Sequence, residues 1–137
     1  MKYPCSPRKE IDGLVYFSRL AEKARLHHNG DLHPDLRDNL GKGMDLWTCQ
    51  FLGVTYDDLQ KIIITGASDQ DALAWVRKNG TPRDQNETAW WNSFMRNRGY
   101  RDDFSEKLAA RRLEKPQTDR PDIQTFFDYL EADEASA

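Results

Sequence analysis

The sequence predicts an all-α fold, a single-domain bundle or orthogonal array of six to seven short helices, and three observations carry that expectation. Segments with apolar residues at three- and four-residue steps recur along the chain. Most are opened by Asp, Ser or Thr and closed by Gly or Pro, the residues that cap and stop helices. No sustained apolar-polar alternation of the kind a half-buried strand requires is present, and no fixed period suggests a solenoid.

Residues 1–12, with Pro4 and Pro7, read as an extended N-terminal arm. The single helical domain is expected over 13–132, followed by a flexible acidic tail at 133–137. A first helix over 14–28 sets Leu14, Phe17, Ala21 and Ala24 on one face, with Leu20 on its flank, and Gly30 suits the left-handed residue that ends it. Residues 31–43, rich in Asp, Gly and Pro, read as a loop with a short turn around 35–39. A short buried helix over 44–52 carries Met44, Leu46, Trp47, Phe51 and Leu52 and stops at Gly53.

Thr55 is placed to cap the next helix, with Asp58 three residues on. Its Ile62-Ile63-Ile64 run would suit a strand, but the cap and Gly66 favour helix. Ser68 and Asp71 repeat the opening before Leu73, Trp75 and Val76. Thr81, Pro82 and Asp84 supply cap, first-turn proline and first-turn acid for a helix carrying Trp90, Trp91, Phe94 and Met95. A weaker helix is expected from about Asp102 to Glu114. The last begins near Pro121, with Ile123, Phe126, Phe127 and Leu130 at i, i+3, i+4 and i+7.

The 137 residues fit one domain, and 38% hydrophobic content with four Trp, five Tyr and six Phe separates the chain from disordered compositions. A net charge of −3, from 20 basic and 23 acidic residues, gives no field that selects nucleic acid or an anionic membrane. Residues 96–115 are predominantly basic and 116–137 predominantly acidic, so pairing between the last two helices is expected. Cys5 and Cys49 have no zinc or CxxC spacing, and no apolar run reaches membrane-spanning length. Reduced thiols and a cytoplasmic location are the expectation.

Several segments carry a resemblance. They are SPR at 6–8, GLVYFSRLAEKAR at 13–25, LGKGMDLWTCQFLGV at 40–54, TGASDQDALAWV at 65–76, WNSFMRNRGYRDD at 91–103 and DRPDIQTFFDYLEAD at 119–133. Through them nearly the whole chain resembles a bacterial family of small proteins known as a domain of unknown function. The resemblance implies membership of that family and no particular reaction.

Four constellations invite chemistry. His27, His28 and His33, beside Asp31 and Asp35, lack the i, i+3 or i+4 ligand spacing of a helical metal site, and His at a helix end complements the dipole. Gly41-Lys42-Gly43 resembles a phosphate cradle but lacks the P-loop spacing and a preceding strand, so a glycine-dependent turn is favoured. The Thr55–Asn79 unit has helix-turn-helix proportions, but Asp69 and Asp71 would meet phosphate at the start of its second helix. Arg96, Arg98, Tyr100 and Arg101 near Trp90 and Trp91 could face nucleic acid, yet Asp102 and Asp103 can neutralise them. Cys49 sits in an apolar segment as packing, and no serine has an evident base partner.

No catalytic signature, cofactor or metal site is therefore expected, and nucleic acid is disfavoured. The leading expectation is a non-enzymatic helical domain acting through a protein partner or as a homodimer, since Trp and Tyr favour interfaces. The alternative is a small-ligand-binding protein or enzyme using the loop at 27–43, with His28, His33, Asn39 and Lys42 as candidate ligand-binding residues.

Overall fold

The computed structural model describes residues 1–135. Its elements are β1 (Glu10–Ile11), β2 (Leu14–Val15), α1 (Phe17–His28), a 3-10 helix (Pro34–Asn39), α2 (Met44–Leu52), α3 (Tyr56–Ile64), α4 (Asp69–Asn79), α5 (Gln85–Asn97), α6 (Ser105–Arg112) and α7 (Phe126–Ala135). The all-α expectation holds, with one small addition. Asp12-Gly13, both at positive φ, turn the chain so that β1 and β2 pair antiparallel, Glu10 opposite Val15 and Ile11 opposite Leu14.

That hairpin is why α1 starts at Phe17 rather than Leu14. The buried Asn92 of α5 pins it, accepting from Val15 N–H at 3.2 Å and donating to the Gly13 carbonyl at 2.6 Å. α1 then runs through the core, burying Phe17, Leu20, Ala21 and Ala24 completely against Leu59 and Ile63 of α3, Leu73 and Val76 of α4, Met95 of α5 and Phe127 of α7. Each fully buried Leu, Ile or Phe contributes about 1.5–3 kcal/mol of transfer free energy. A second cluster of Leu108, Ile123 and Tyr129, with Phe126 and Leu130 against it, joins α6 to α7.

The caps explain most boundaries. Thr55 Oγ1 accepts from Asp58 N–H, and Ser68 with Asp71 forms a reciprocal capping box, so the triple isoleucine is helical. Asp84, not Thr81, caps α5, in a box with Glu87; Thr81 N–H is instead engaged by the Leu52 carbonyl. α7 starts later than Pro121 because Asp128 Oδ2 accepts from Gln124 and Thr125 N–H while Thr125 Oγ1 accepts from Asp128 N–H.

Both chain ends are more engaged than the sequence suggests. In the N-terminal segment Pro4, Pro7 and Ile11 are buried, Lys2 bridges to Leu32, and Arg8 binds Asp128 at 2.5 Å and Glu131 at 3.2 Å. The expected tail at 133–137 is helical to Ala135, held where Asp133 meets Lys115 at 2.7 Å and Glu134 meets Arg19. Residues 136–137 lie outside the described residues. No helix among the described residues is long and apolar enough to cross a membrane.

Candidate functional site

The most distinctive feature begins at Tyr16. The chain passes from β2 into α1 within this one residue, which takes φ 72°, ψ −27°. Left-handed backbone costs a residue with a side chain about 1–2 kcal/mol, and an aromatic held there is unusual. Its ring is buried beside Phe127, and its hydroxyl donates to Asp45 Oδ1 at 2.7 Å.

Asp45 is wholly buried and fully engaged. Lys23 Nζ, two turns along α1 from Tyr16, lies 2.9 Å from the same Oδ1 and 3.4 Å from the Tyr16 hydroxyl. Asp45 Oδ2 accepts from Gly41 N–H at 3.0 Å. The Gly41-Lys42-Gly43 turn therefore closes on a carboxylate of the protein itself. Gly41 has φ 72°, and a Cβ there would stand 2.8 Å from the Tyr56 ring, so glycine is required. Next to this trio, Arg19 forms a two-pronged pair with Glu134 at 2.7 and 2.5 Å and donates to the Cys5 carbonyl at 3.1 Å.

Burial shifts these groups. The Tyr16 phenol is pushed well above its ordinary value by burial and by the adjacent Asp45. Lys23 is lowered because burial disfavours its ammonium more than Asp45 restores it. Burial also pushes the Cys49 thiol up to about 12, with Asp45 adding to the effect, and Cys5 up to about 11.

Tyr16, Arg19 and Lys23 form the floor of a cleft of about 370 Å³. Leu36, Asn39, Lys42 and Gly43 from the loop make one side, Met44 and Trp47 of α2 the next, Lys107 and Arg111 of α6 the rim opposite, and Phe126, Tyr129 and Leu130 of α7 the remaining wall. Five basic residues line it and no carboxylate does, although acids outnumber bases in the chain. The expected pairing of the basic 96–115 segment with the acidic one is met by Lys115 on Asp133, but α6 itself forms no ion pair with α7 among the described residues, and the reason is competition. All four carboxylates of α7 are engaged, by Arg8, Arg19 and Lys115, and by backbone N–H groups at the cap. None of the ion pairs among the described residues involves Lys42, Lys107 or Arg111.

Of the residues singled out from sequence, Asn39 and Lys42 line this cleft and the two histidines do not. His28 is exposed at the end of α1. His33 stacks on Tyr3 with ring centroids 4.3 Å apart, and its Nδ1 accepts from Asp35 N–H to cap the 3-10 helix. No group of three or more His, Cys, Asp or Glu side chains among the described residues is placed to hold a metal ion. Of the arginine cluster only Arg98 is packed inside, while Tyr100 and Arg101 are exposed. Arg98 is buried with its guanidinium 3.9 Å from the Phe104 ring centroid and 4.7 Å from that of Trp47, paired with Asp103 at 2.6 Å, while Arg96 reaches Glu10.

Sequence reasoning missed Tyr16, Arg19, Lys23, Asp45, Lys107 and Arg111. A signal existed for two of them: positions 16, 19, 20 and 23 share one helical face, so Arg19 and Lys23 stand where a core stripe runs. Asp45 lies in the first turn of α2, where a carboxylate ordinarily serves the helix dipole, so its position carries no separate signal. A search of curated proteins finds no match. The family model for a domain of unknown function (DUF5069) matches residues 1–136, and the chain belongs to that family.

Proposed function

We propose that this protein binds a small organic anion in the cleft between α1, α2, α6, α7 and the 27–43 loop. The observation that carries the reading is the lining itself: five basic residues, no carboxylate and an apolar wall of Leu36, Met44, Trp47, Phe126 and Leu130. Pockets for small ligands are of this size and make-up, mostly apolar with a few convergent polar groups. Unpaired cations held close together repel one another, and an anion relieves that repulsion. Arg19 and Lys23 are already satisfied by Glu134 and Asp45, so the ligand's charge is met by Lys42, Lys107 and Arg111 and its body by the apolar wall.

Calorimetric titration with benzoate, terephthalate and phenyl phosphate tests this. Saturable binding that weakens with salt and falls about tenfold in Lys107→Ala with Arg111→Ala, a loss of about 1.4 kcal/mol, is the expected result. Binding that is absent, or indifferent to both salt and these exposed-side substitutions, would overturn the reading.

A separate observation favours a second reading, self-association through α5. Trp90 is 71% exposed and Phe94, one turn on, 42% exposed, and large exposed apolar side chains at helical spacing suit a partner surface. Light scattering across a concentration series should show association that Trp90→Ser abolishes; a monomer at all concentrations would remove this reading.

A further inference from the structure

The floor of the cleft contains more than anion binding needs. Lys23 lines the cavity with a side chain only 5% exposed, and two groups able to relay a proton meet its amine: the Asp45 carboxylate at 2.9 Å and the Tyr16 hydroxyl at 3.4 Å. A purely structural ion pair requires neither an open cavity beside it nor a third ionisable group. Resting on the anion-binding reading, we propose that the cleft captures carbonyl-bearing anions covalently, Lys23 condensing with an aldehyde or ketone whose acidic group is held by Lys42, Lys107 and Arg111.

The chemistry balances within the residues present. The Lys23 ammonium passes one proton to Asp45, and the freed nitrogen lone pair attacks the carbonyl carbon. A C–N bond forms while the C=O π pair moves onto oxygen. That oxygen takes a proton from the Tyr16 hydroxyl, which Asp45 reloads through their 2.7 Å hydrogen bond. The carbinolamine nitrogen then returns a second proton to Asp45. The same route delivers it to the oxygen, which leaves as water as the nitrogen lone pair closes the C=N bond. An ammonium and a carbonyl have become a protonated imine and water, nothing is oxidised or reduced, and the cation that results still faces Asp45.

Burial supports the first step, since a desolvated ammonium gives up its proton more readily than an exposed one. The substrate class follows from the rim and the walls: an aldehyde or keto acid with one anionic group, small enough for a cavity of about 370 Å³, its carbonyl reaching the floor while its acid stays at the rim.

The test uses the full chain, 4-formylbenzoate as probe and sodium cyanoborohydride to reduce any imine, with peptide mapping by mass spectrometry. The expected result is an adduct on Lys23 that forms about tenfold or more faster than on exposed Lys61 or Lys78, because the cleft holds carbonyl and amine together. Terephthalate, which lacks a carbonyl able to condense, should compete. Lys107→Ala with Arg111→Ala should raise the half-saturating probe concentration without changing the rate at saturation. Tyr16→Phe should lower the rate at saturation while leaving terephthalate affinity in place, and Lys23→Arg should remove the adduct. If Lys23→Arg does not fold, the wild-type map and Tyr16→Phe decide. Adducts confined to exposed lysines, while terephthalate still binds saturably, would overturn this inference and leave the anion-binding reading standing. A Lys23 adduct that terephthalate does not compete would also overturn it. No saturable binding of terephthalate at all would remove both.

Discussion

Replacing Asp45 by Asn keeps the side chain's volume and removes its charge, and the expected cost is large. Asp45 is fully buried and is the sole carboxylate within ion-pair distance of Lys23 among the described residues, at 2.9 Å. Breaking a buried pair from one side leaves an uncompensated charge and costs about 3–5 kcal/mol. For 137 residues an unfolding entropy of about 2.1 cal/mol/K per residue makes each kcal/mol worth about 3–4 °C, so the melting temperature should fall by about 10–17 °C. Asp45→Asn combined with Lys23→Met should recover most of that loss, because an apolar side chain in place of a buried ion is often neutral or stabilising. Thermal melts by circular dichroism and urea titrations of both single variants and the double give the coupling energy directly. A single-variant loss below about 1 kcal/mol, or a double variant no more stable than Asp45→Asn alone, would refute the placement of Lys23 and Asp45 as a desolvated pair.

Asp128→Ala removes the acceptor of Gln124 and Thr125 N–H and the partner of Arg8, and should cost about 1–2 kcal/mol at neutral pH. Burial tends to raise the Asp128 pKa, but the Gln124 N–H and Arg8 outweigh it, so the carboxyl lies below its ordinary value. Its contribution is thus complete above the ordinary value of about 4 and is lost as pH falls through the lowered folded value, so urea titrations of wild type and variant should draw together in acid; a gap that does not narrow as pH falls would contradict this. Gly41→Ala forces a left-handed alanine against the Tyr56 ring and should cost more than the roughly 1–2 kcal/mol of the backbone alone, whereas an unchanged melting temperature would mean the turn can reshape. Cys49, 1% exposed with its thiol pushed up to about 12, should resist iodoacetamide at pH 7.5 until urea unfolds the chain; rapid labelling of the native protein would show that α2 opens.

The helices were legible because their ends are written locally. A capping hydroxyl or carboxylate and the N–H it receives lie three residues apart, as at Thr55, Ser68 and Asp84. The hairpin was not read, although its Asp12-Gly13 turn is local, because its strands are two residues long and its anchor, Asn92, is some eighty residues away. The site was legible only in part. Asn39 and Lys42 stood out because the loop around them had no packing explanation. Tyr16, Lys23 and Asp45 were hidden because each has a respectable local reason to be where it is, and their meeting is a fact of tertiary structure. The same is true of the rim. Charge counts predicted that α6 and α7 would neutralise each other, and nothing local says that Arg8 and Arg19 reach the acids of α7 first.

That competition is the strongest reason to regard the cleft as built rather than left over. A surface ion pair is worth little, so Lys107 and Arg111 lose almost nothing by going without a partner. The buried trio is different. A Lys–Asp pair held from water is a poor source of stability compared with well-packed apolar residues of the same volume, and a tyrosine at φ 72° adds backbone strain. Each departure alone would be unremarkable in a chain with this much surplus apolar packing around α1. Yet the strained residue, the lysine of the desolvated charge pair and the unpaired cations all line one cavity, and nowhere else among the described residues do three such departures coincide. Local rules are broken together where chemistry requires it. A cleft that no carboxylate lines, with an amine and a phenol at its base and Asp45 buried behind them, is what the proposed anion binding and carbonyl capture require.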